Sequence, residues 1–465
     1  MKKPRVIVVG LDCAPPALVF DRLAPRLPFL RAMRRRGVSG PLRSTLPPIT
    51  LPAWACMTSG RDPGELGIYG FRDRIEGSRA LRTVTADDVR VPRVWDVLGA
   101  HGKRSSVLFV PPTFPPPPVV GGEVVSCMLT PRDAAVRTFP STLEAELGGA
   151  FSVHLRADVD TEDEKTPERL LSALETQVMR HFDLAEHMLV HRPADFFMMV
   201  EMATDRLHHG LWPALDPKDP RHARFAAHAR RAEDLYVLLD QRIARLSELV
   251  PDATLFVVSD HGARSIEGGI YVNEVLRRAG FLRLEGALDG VVPLGGASVD
   301  WQNTQAWGEG GYYARIFVND RARFADGPVL DKERVLLELE ALFASVTDAR
   351  GAPLAHRIVR PEQAYRSVKG QAPDLAVYFG DLSYRSLGAV GVERVHATPD
   401  EVDGDLGRGG CNHHWDGVFL ASGPALEPRS LTDASLLDLG PTLLGCFGIA
   451  PPLGWQGRDL LRGGV

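Results

Sequence analysis

Residues 6–12 read VIVVGLD, and this stretch decides the fold. A strand with one wet face alternates apolar and polar residues. An unbroken apolar run is the pattern of a strand covered on both faces, as in a parallel sheet. The run ends on Asp12. An ionised carboxylate at the end of a buried strand is costly unless it is paired or holds a cation. The ends of such strands are also where an α/β fold places its chemistry.

The same pattern recurs twice. ADFFMMVEMA at 194–203 delivers Asp205, and ATLFVVSD at 253–260 delivers Asp260 and His261. Stretches of helical period separate these runs, at 167–192 and in RFAAHARRAEDLYVLLDQRIARLSEL at 224–249. Strand alternating with helix predicts an α/β fold, a doubly wound and mostly parallel sheet with helices on both faces. PALVFDRLAPRLPFLRAMRRRG reads as helical pieces broken at Pro25 and Pro28 and stopped at Gly37, with Arg34–Arg36 as a solvated helix end. Pro47, Pro48 and Pro52 make 44–53 an extended loop, and PAWACMTSG then starts a helix with Pro52 in its first turn. RVWDVLGAHGKRSSVLFV is a helix followed by a strand, and VPPTFPPPPVVGG is loop.

From about 265 to 365 the chain changes character, with many glycines and one helix, DKERVLLELEALFASV. Within it, Trp301, Trp307, Tyr312 and Tyr313 suit either stacking on a ligand or packing as a local core. The expected organisation is a core of residues 1–265 and 366–465, with 266–365 inserted as a cap over the active-site edge. APDLAVYFGD and DGVFLASGP are expected as later core strands, and DASLLDLGPTLLGCFGI as a C-terminal helix.

Composition narrows the function. The chain has 465 residues, 44% of them hydrophobic and 24% charged, as in an ordinary soluble globular protein. A net charge of −5 gives no bulk reason to expect nucleic acid or an anionic membrane as partner. No run reaches the roughly 18 apolar residues of a membrane span. MKKPR followed at once by VIVVG reads as a strand and not as a secretory leader. Five cysteines without CxxC spacing argue against a disulfide framework, so a cytoplasmic location is expected. Composition leaves the oligomeric state open.

The chemistry-bearing residues are carboxylates, imidazoles and hydroxyls near strand ends. Asp205 and His209 are spaced one helical turn apart, as two metal ligands would be. His413 and His414 precede DGVFLASGP, and only one of two adjacent rings is expected to face a given ion. His208 and His209 pose the same choice. Thr50 is a candidate nucleophile, with Thr45, Thr58, Ser44 and Ser59 as rivals on the same stretch. A hydroxyl needs a divalent ion or a base to become a nucleophile near neutral pH.

The segments GLDCAPP, GPLRSTLPPITLPAWACMTSGRDPGELGIYGF, VPPTFPPPP, EMATDRLHHGLW, VVSDHGA, DWQNTQAWGEGGYY, HHWDGVFLASGP and LDLGPTLLGCFGI resemble the alkaline phosphatase superfamily. The similarity is to its type I phosphodiesterase/nucleotide pyrophosphatase branch and to predicted phosphohydrolases and phosphomutases. The resemblance implies Thr50 as nucleophile, because a Thr or Ser is followed by x-Pro, here Pro52. It implies one metal ion held by Asp205, His209 and His413, the late histidine lying four residues before Gly417. It implies a second ion held by Asp12, Thr50, Asp260 and His261. The chain departs from the family at Ala53, where relatives have an Asn that binds phosphoryl oxygens, and at Leu66, where they have a His. Arg43, Arg206, His414 and the backbone N–H groups at the start of the 52–59 helix are candidate replacements for that Asn. Sulfatases are excluded, since Cys13-Ala14-Pro15 lacks their C-x-P-x-R pattern. The expected function is a metal-dependent phosphoric ester hydrolase acting on a small molecule through a phosphothreonine. Two divalent ions are expected, Zn²⁺ first and Mn²⁺ next. A phosphomutase on the same chemistry and a degenerate, non-catalytic family member are the alternatives.

Overall fold

The structure, a computed structural model, describes residues 6–159, 166–286, 288, 290–405 and 410–462. The chain divides into two compact units. The first comprises Met1–Phe71, Thr83–Ala263 and His413–Val465; the second comprises Arg72–Arg82 and Arg264–Asn412.

The first unit is built on one large sheet. Its strands are β1 (Val6–Leu11), β2 (Val38–Arg43), β3 (Ser105–Leu108), β4 (Glu123–Val125), β5 (Thr138–Phe139), β6 (Phe196–Glu201), β7 (Thr254–Val258), β8 (Asp416–Ser422), β9 (Arg429–Ser430) and β10 (Ala434–Ser435). The spatial order is β9-β2-β8-β7-β1-β6-β3-β4-β5, with β10 also pairing β2. β1 lies at the centre, parallel to β6 with Val6 opposite Phe196 and to β7 with Val6 opposite Thr254. Every residue of β1 is buried, which is the burial its unbroken apolar run predicts. Amphipathic helices cover the sheet. The long helix that precedes β7, Ala229–Leu249, buries Ala232, Leu235, Tyr236, Leu239, Ile243 and Leu246, a stripe at helical period. It packs on the helix Pro167–His191.

β8 runs against the parallel direction, and β2 escaped the sequence pattern. β8 is antiparallel to β7, so its N-terminal end lies at the sheet edge where the parallel strands have their C-terminal ends. A ligand just before β8 therefore reaches the same place as ligands just after β1 and β7. β2, with a proline in it, carries no strand signature. Pro41 pairs Val418 on one side, and on the other it falls between β9, which stops at Ser39, and β10, which starts opposite Leu42. A residue without an N–H is tolerated at such a gap. Gly417 sits where a Cβ would come 2.4 Å from the Ser259 carbonyl oxygen. Gly417→Ala is expected to destabilise the protein by about 1–3 kcal/mol, read as a lower denaturation midpoint.

The second unit has its own core. Its four-stranded antiparallel sheet runs Ala306–Glu309, Ala314–Val318, Leu375–Tyr378, Arg357–Val359 in space, and the helix Lys332–Ala344 buries Val335, Leu336, Leu339 and Phe343 in the same core. The boundary expected at 365 is thus displaced to 412. The strand in APDLAVYFGD joins this sheet and not the central one, because Ala314–Val318 and Arg357–Val359 supply its partners on both sides. Trp307 and Tyr313 are buried in this unit, which favours the local-core reading of the aromatic stretch. Arg74 and Arg79 bring the Arg72–Arg82 segment into it. Arg74 lies over Trp307 and Phe317, at 4.5 and 4.1 Å from the ring centres, and pairs with Glu309; Arg79 lies over Trp301 and Phe324 and pairs with Asp326.

Candidate active site

All seven residues singled out in the sequence come together in the first unit, at one edge of the central sheet. Asp12 follows β1, Asp205 and His209 stand on the helix Ala203–Leu215 that follows β6, and Asp260-His261 follow β7. His413 precedes β8, and Thr50 is the first residue of the helix Thr50–Ser59. All except His209 are nearly or fully buried.

The geometry falls into two overlapping groups. In the first, His209 Nε2 and His413 Nε2 face each other at 3.3 Å, and Asp205 Oδ1 lies 3.2 Å from the former and 3.8 Å from the latter. In the second, Thr50 Oγ1 lies 3.4 Å from Asp12 Oδ1 and 3.4 Å from His261 Nε2. His261 Nε2 also lies 3.2 Å from Asp260 Oδ2. The rings of His261 and His413 stack at 3.7 Å and join the groups. The donor atoms of Asp205, His209 and His413 lie within 4.8 Å of one another, as do those of Asp12, Asp205 and His261.

The donor set fits divalent cations. Asp205 Oδ1 and Asp260 Oδ2 are buried carboxylate oxygens without a well-formed hydrogen bond. Such an atom is costly unless a cation meets it. Two imidazoles are also set for ligation by Nε2. His413 donates Nδ1–H to the Pro48 carbonyl at 2.7 Å, and His261 places Nδ1 3.2 Å from the Gly262 carbonyl. Each fixes the tautomer that leaves a lone pair on Nε2. Of the neighbouring histidines, His208 turns its Nε2 to the Tyr236 hydroxyl at 3.0 Å, and burial pushes its pKa down to about 3. His414 Nδ1 accepts the Asp416 N–H.

The rival hydroxyls are engaged elsewhere. Thr58 and Ser59 bond back to their own helix, Thr45 donates to the Pro47 carbonyl, and Ser44 Oγ bonds to none of the seven. Arg43 pairs with Asp416 and lies over Trp415, and Arg206 pairs with Asp158 and Asp205. At the helix start, Ala53 N–H is taken by the Ile49 carbonyl and Pro52 has none, which leaves Thr50 and Leu51 N–H as the helix-end donors.

Supporting residues were invisible in the sequence. Trp54 donates Nε1–H to Asp12 Oδ2 at 2.7 Å, and it reaches there because Gly10 has no side chain: a Cβ would lie 2.4 Å from the indole ring. Cys13, at a φ of 65°, donates its N–H to Asp260 Oδ1 at 3.1 Å, and its sulfur forms a third donor group with His261 and His413. Thr204 donates to the Asp12 carbonyl. Trp54→Phe keeps the packing and removes the N–H. It is expected to weaken Zn²⁺ binding by roughly 10–100-fold, measured by competition with a chromophoric chelator, without a comparable loss of fold.

Charge is concentrated here. Burial, with Asp205 beside it, pushes Asp12 up to about 8, and burial with Asp12 nearby raises Asp260 well above the carboxylate range. Burial also raises Asp205, but His209 and Arg206 outweigh it and hold it well below that range. Burial pushes His261 down to about 4, and burial with His261 and His209 nearby holds His413 well below the ordinary imidazole value, so both rings are neutral and ready to ligate. A cation that binds near neutral pH must therefore displace the proton of Asp12, and none from His261 or His413. From 3.8 to about 8 the folded, metal-free chain keeps a proton on Asp12 that the unfolded chain has lost. That group's contribution to metal-free stability falls as pH rises through the window. The rise in melting temperature caused by Zn²⁺ should grow from mildly acidic to mildly alkaline pH, and calorimetry in buffers of different ionisation enthalpy should show proton release. Zn²⁺ binding without proton release near neutrality would contradict this assignment of the charges.

The comparisons agree with this arrangement. The type I phosphodiesterase / nucleotide pyrophosphatase family profile matches residues 6–397. The fold is similar to human ectonucleotide pyrophosphatase/phosphodiesterase 5, with 14% identity and a TM-score of 0.56 over 99% of this chain and 98% of that one. It is similarly like the murine protein, solved as an inactive threonine-to-alanine variant in complex with AMP, at 13% identity and a TM-score of 0.56 over 99% and 98%. Phosphonoacetate hydrolase from Sinorhizobium meliloti 1021, in complex with phosphonoformate, gives 16% identity and a TM-score of 0.59 over 96% and 99%. No curated protein matches the sequence. With a central parallel sheet, a carboxylate–imidazole cluster at its edge and a profile match across most of its length, the chain belongs to the type I phosphodiesterase / nucleotide pyrophosphatase family of the alkaline phosphatase superfamily, whose chemistry is metal-dependent phosphoester hydrolysis.

Proposed function

We propose that this protein hydrolyses a small phosphoric ester through a phosphothreonine at Thr50, in a site for two divalent cations. The observation that carries the reading is the position of Thr50 Oγ1, equidistant at 3.4 Å from Asp12 Oδ1 and His261 Nε2, beside the facing Nε2 atoms of His209 and His413. Asp205, His209 and His413 would hold one ion, and Asp12, Thr50, Asp260 and His261 would hold the other. Three imidazoles among the ligands favour Zn²⁺, with Mn²⁺ next. Bound divalent ions supply Lewis acidity, which lowers the pKa of a hydroxyl and neutralises charge on phosphoryl oxygens.

The chain's own residues do the rest. Thr50 Oγ1 forms the bond to phosphorus as the ester oxygen departs in line, and its proton faces Asp12 Oδ1. Thr50 and Leu51 N–H, at the positive end of a helix, take the place of the family Asn that Ala53 lacks. Water then attacks the phosphothreonine and returns Thr50. The inactive threonine-to-alanine variant of the murine relative supports a threonine in this role.

The second unit, Arg72–Arg82 with Arg264–Asn412, is the element we assign to substrate selection. Trp307 and Tyr313 belong to its core, so replacing 301–313 would unfold it; exchanging the whole unit for that of a relative is the cleaner change. Five cysteines that form no disulfide suit a reducing cytoplasm. The reading is tested with purified, chelator-stripped protein supplied with Zn²⁺ or Mn²⁺ and a panel of phosphate mono- and diesters. Turnover restored by metal supports it. A panel hydrolysed equally well without metal would overturn it.

A further inference from the structure

Behind the metal-ligand cluster, on the other side of β6, lies a buried set of polar groups that the chemistry above does not use. Glu201 ends β6 and is fully buried. Its backbone carbonyl accepts the Asp12 N–H at 3.1 Å. Its Oε1 accepts Gln177 Nε2 at 2.7 Å and the Ala203 N–H at 2.9 Å, and its Oε2 lies 2.9 Å from His181 Nδ1. Ala203 opens the helix that carries Asp205 and His209, and Met202 at that helix's N-cap contributes no side-chain cap. The Glu201 carboxylate therefore serves as the missing cap, with its charge at the positive helix end.

His181 is fully buried and stacks on Phe109 at 4.1 Å. Its Nδ1 faces a carboxylate oxygen, and its Nε2 faces the Arg156 carbonyl at 2.8 Å. The Arg156 carbonyl only accepts; burial raises the Glu201 pKa, but His181 and Gln177 outweigh it and keep Glu201 a carboxylate that only accepts, so both ring nitrogens carry hydrogen and the ring is an imidazolium. The held Arg156 carbonyl lies two residues before Asp158. Asp158 Oδ2 accepts Arg206 Nε at 2.9 Å, and Arg206 Nη1 donates to Asp205 Oδ2 at 2.8 Å. Asp205 is thus gripped twice, through its helix start by Glu201 and through Arg206 by the 156–158 segment, and His181 ties the two grips together.

We propose that His181, as an imidazolium paired with Glu201, is a positioning residue that fixes the Asp205 carboxylate for metal binding. The inference rests on the assignment of Asp205 as a ligand. The charged groups facing His181 are Glu201 from β6 and Asp158 from the 156–158 segment; Gln177 on its own helix and Phe109 are neutral. Burial lowers the His181 pKa, but Glu201, the Arg156 carbonyl and Asp158 outweigh it and raise it above its usual value. Loss of its proton at higher pH leaves one of its two acceptors without a donor and loosens one grip on Asp205.

The test compares Zn²⁺ affinity of the wild type, His181→Gln, Glu201→Gln and Asp205→Ala, alongside ¹⁵N NMR of the wild-type imidazole. His181→Gln should bind Zn²⁺ roughly 10–100-fold more weakly. The wild-type advantage should shrink as pH rises through the His181 titration, a change that a mere packing role would not produce. The NMR should show both His181 nitrogens protonated near neutral pH. Glu201→Gln keeps an acceptor for the Ala203 N–H but removes the charge, and it should weaken Zn²⁺ in the same direction; this variant decides the matter if His181→Gln does not fold. A neutral His181 ring, or affinities of these variants equal to wild type while Asp205→Ala loses Zn²⁺, overturns the proposal. Unchanged affinity in Asp205→Ala would instead overturn the ligand assignment beneath it.

Discussion

Thr50→Ala should lower turnover of every ester the enzyme accepts by roughly 10⁴-fold or more, the scale seen when a nucleophile is removed from a preorganised site. The fold should survive, since the change deletes a hydroxyl and a methyl at the first residue of a helix that keeps Leu51, Trp54 and Ala55 buried. Most metal binding should survive as well, because the hydroxyl is one donor among carboxylates and imidazoles. Thr50→Ser should retain activity, because a primary alkoxide can make the same displacement. Thr45→Ala and Thr58→Ala should be mild by comparison. Their hydroxyls bond to the Pro47 and Trp54 carbonyls, at 2.7 and 2.8 Å, and not to the cluster. Steady-state rates with a p-nitrophenyl ester, together with metal content by elemental analysis, check all four variants. An active Thr50→Ala enzyme would mean that water attacks directly.

His413→Ala should remove one metal ion and nearly all activity, whereas His414→Ala should leave the metal content unchanged. The adjacent rings differ in what they meet. His413 is fully buried, its Nδ1 is held by the Pro48 carbonyl, and its Nε2 faces His209. His414 is only half-buried and bonds to the Asp416 N–H. Loss of a ligand whose lone pair is already aimed at the site leaves Asp205 Oδ1 and His209 without their third partner. Equal metal loss in the two variants would show that the ring choice is wrong.

How much of this could be read in the sequence follows from what each residue depends on. Asp12, Asp205, Asp260 and His261 were legible because an ionisable group just after an apolar strand is a local signal, whatever the strand's neighbours. His413 was harder: it precedes its strand, and it reaches the site only because β8 runs antiparallel to β7. Trp54 and His181 were not legible at all. Their partners, Asp12 and Glu201, lie 42 and 20 residues away, and nothing local marks a tryptophan or a helical histidine as a support for a carboxylate. β2 was hidden by Gly40 and Pro41, which its position beside two short edge strands permits. The end of the inserted unit was misplaced because LAVY at 375–378 has the same apolar signature in either sheet. Its partners decide which sheet it joins, and they are distant in sequence.

The central claim is that Thr50 carries the phosphoryl group during turnover. Acid quenching of the metal-loaded wild-type enzyme during hydrolysis, followed by mass spectrometry of its peptides, tests it most directly. The account predicts a phosphoryl group on Thr50, seen only with substrate and metal present and absent from Thr50→Ala. A peptide spanning 44–61 that stays unmodified under conditions of rapid turnover, or a phosphoryl group on any other residue, would contradict it.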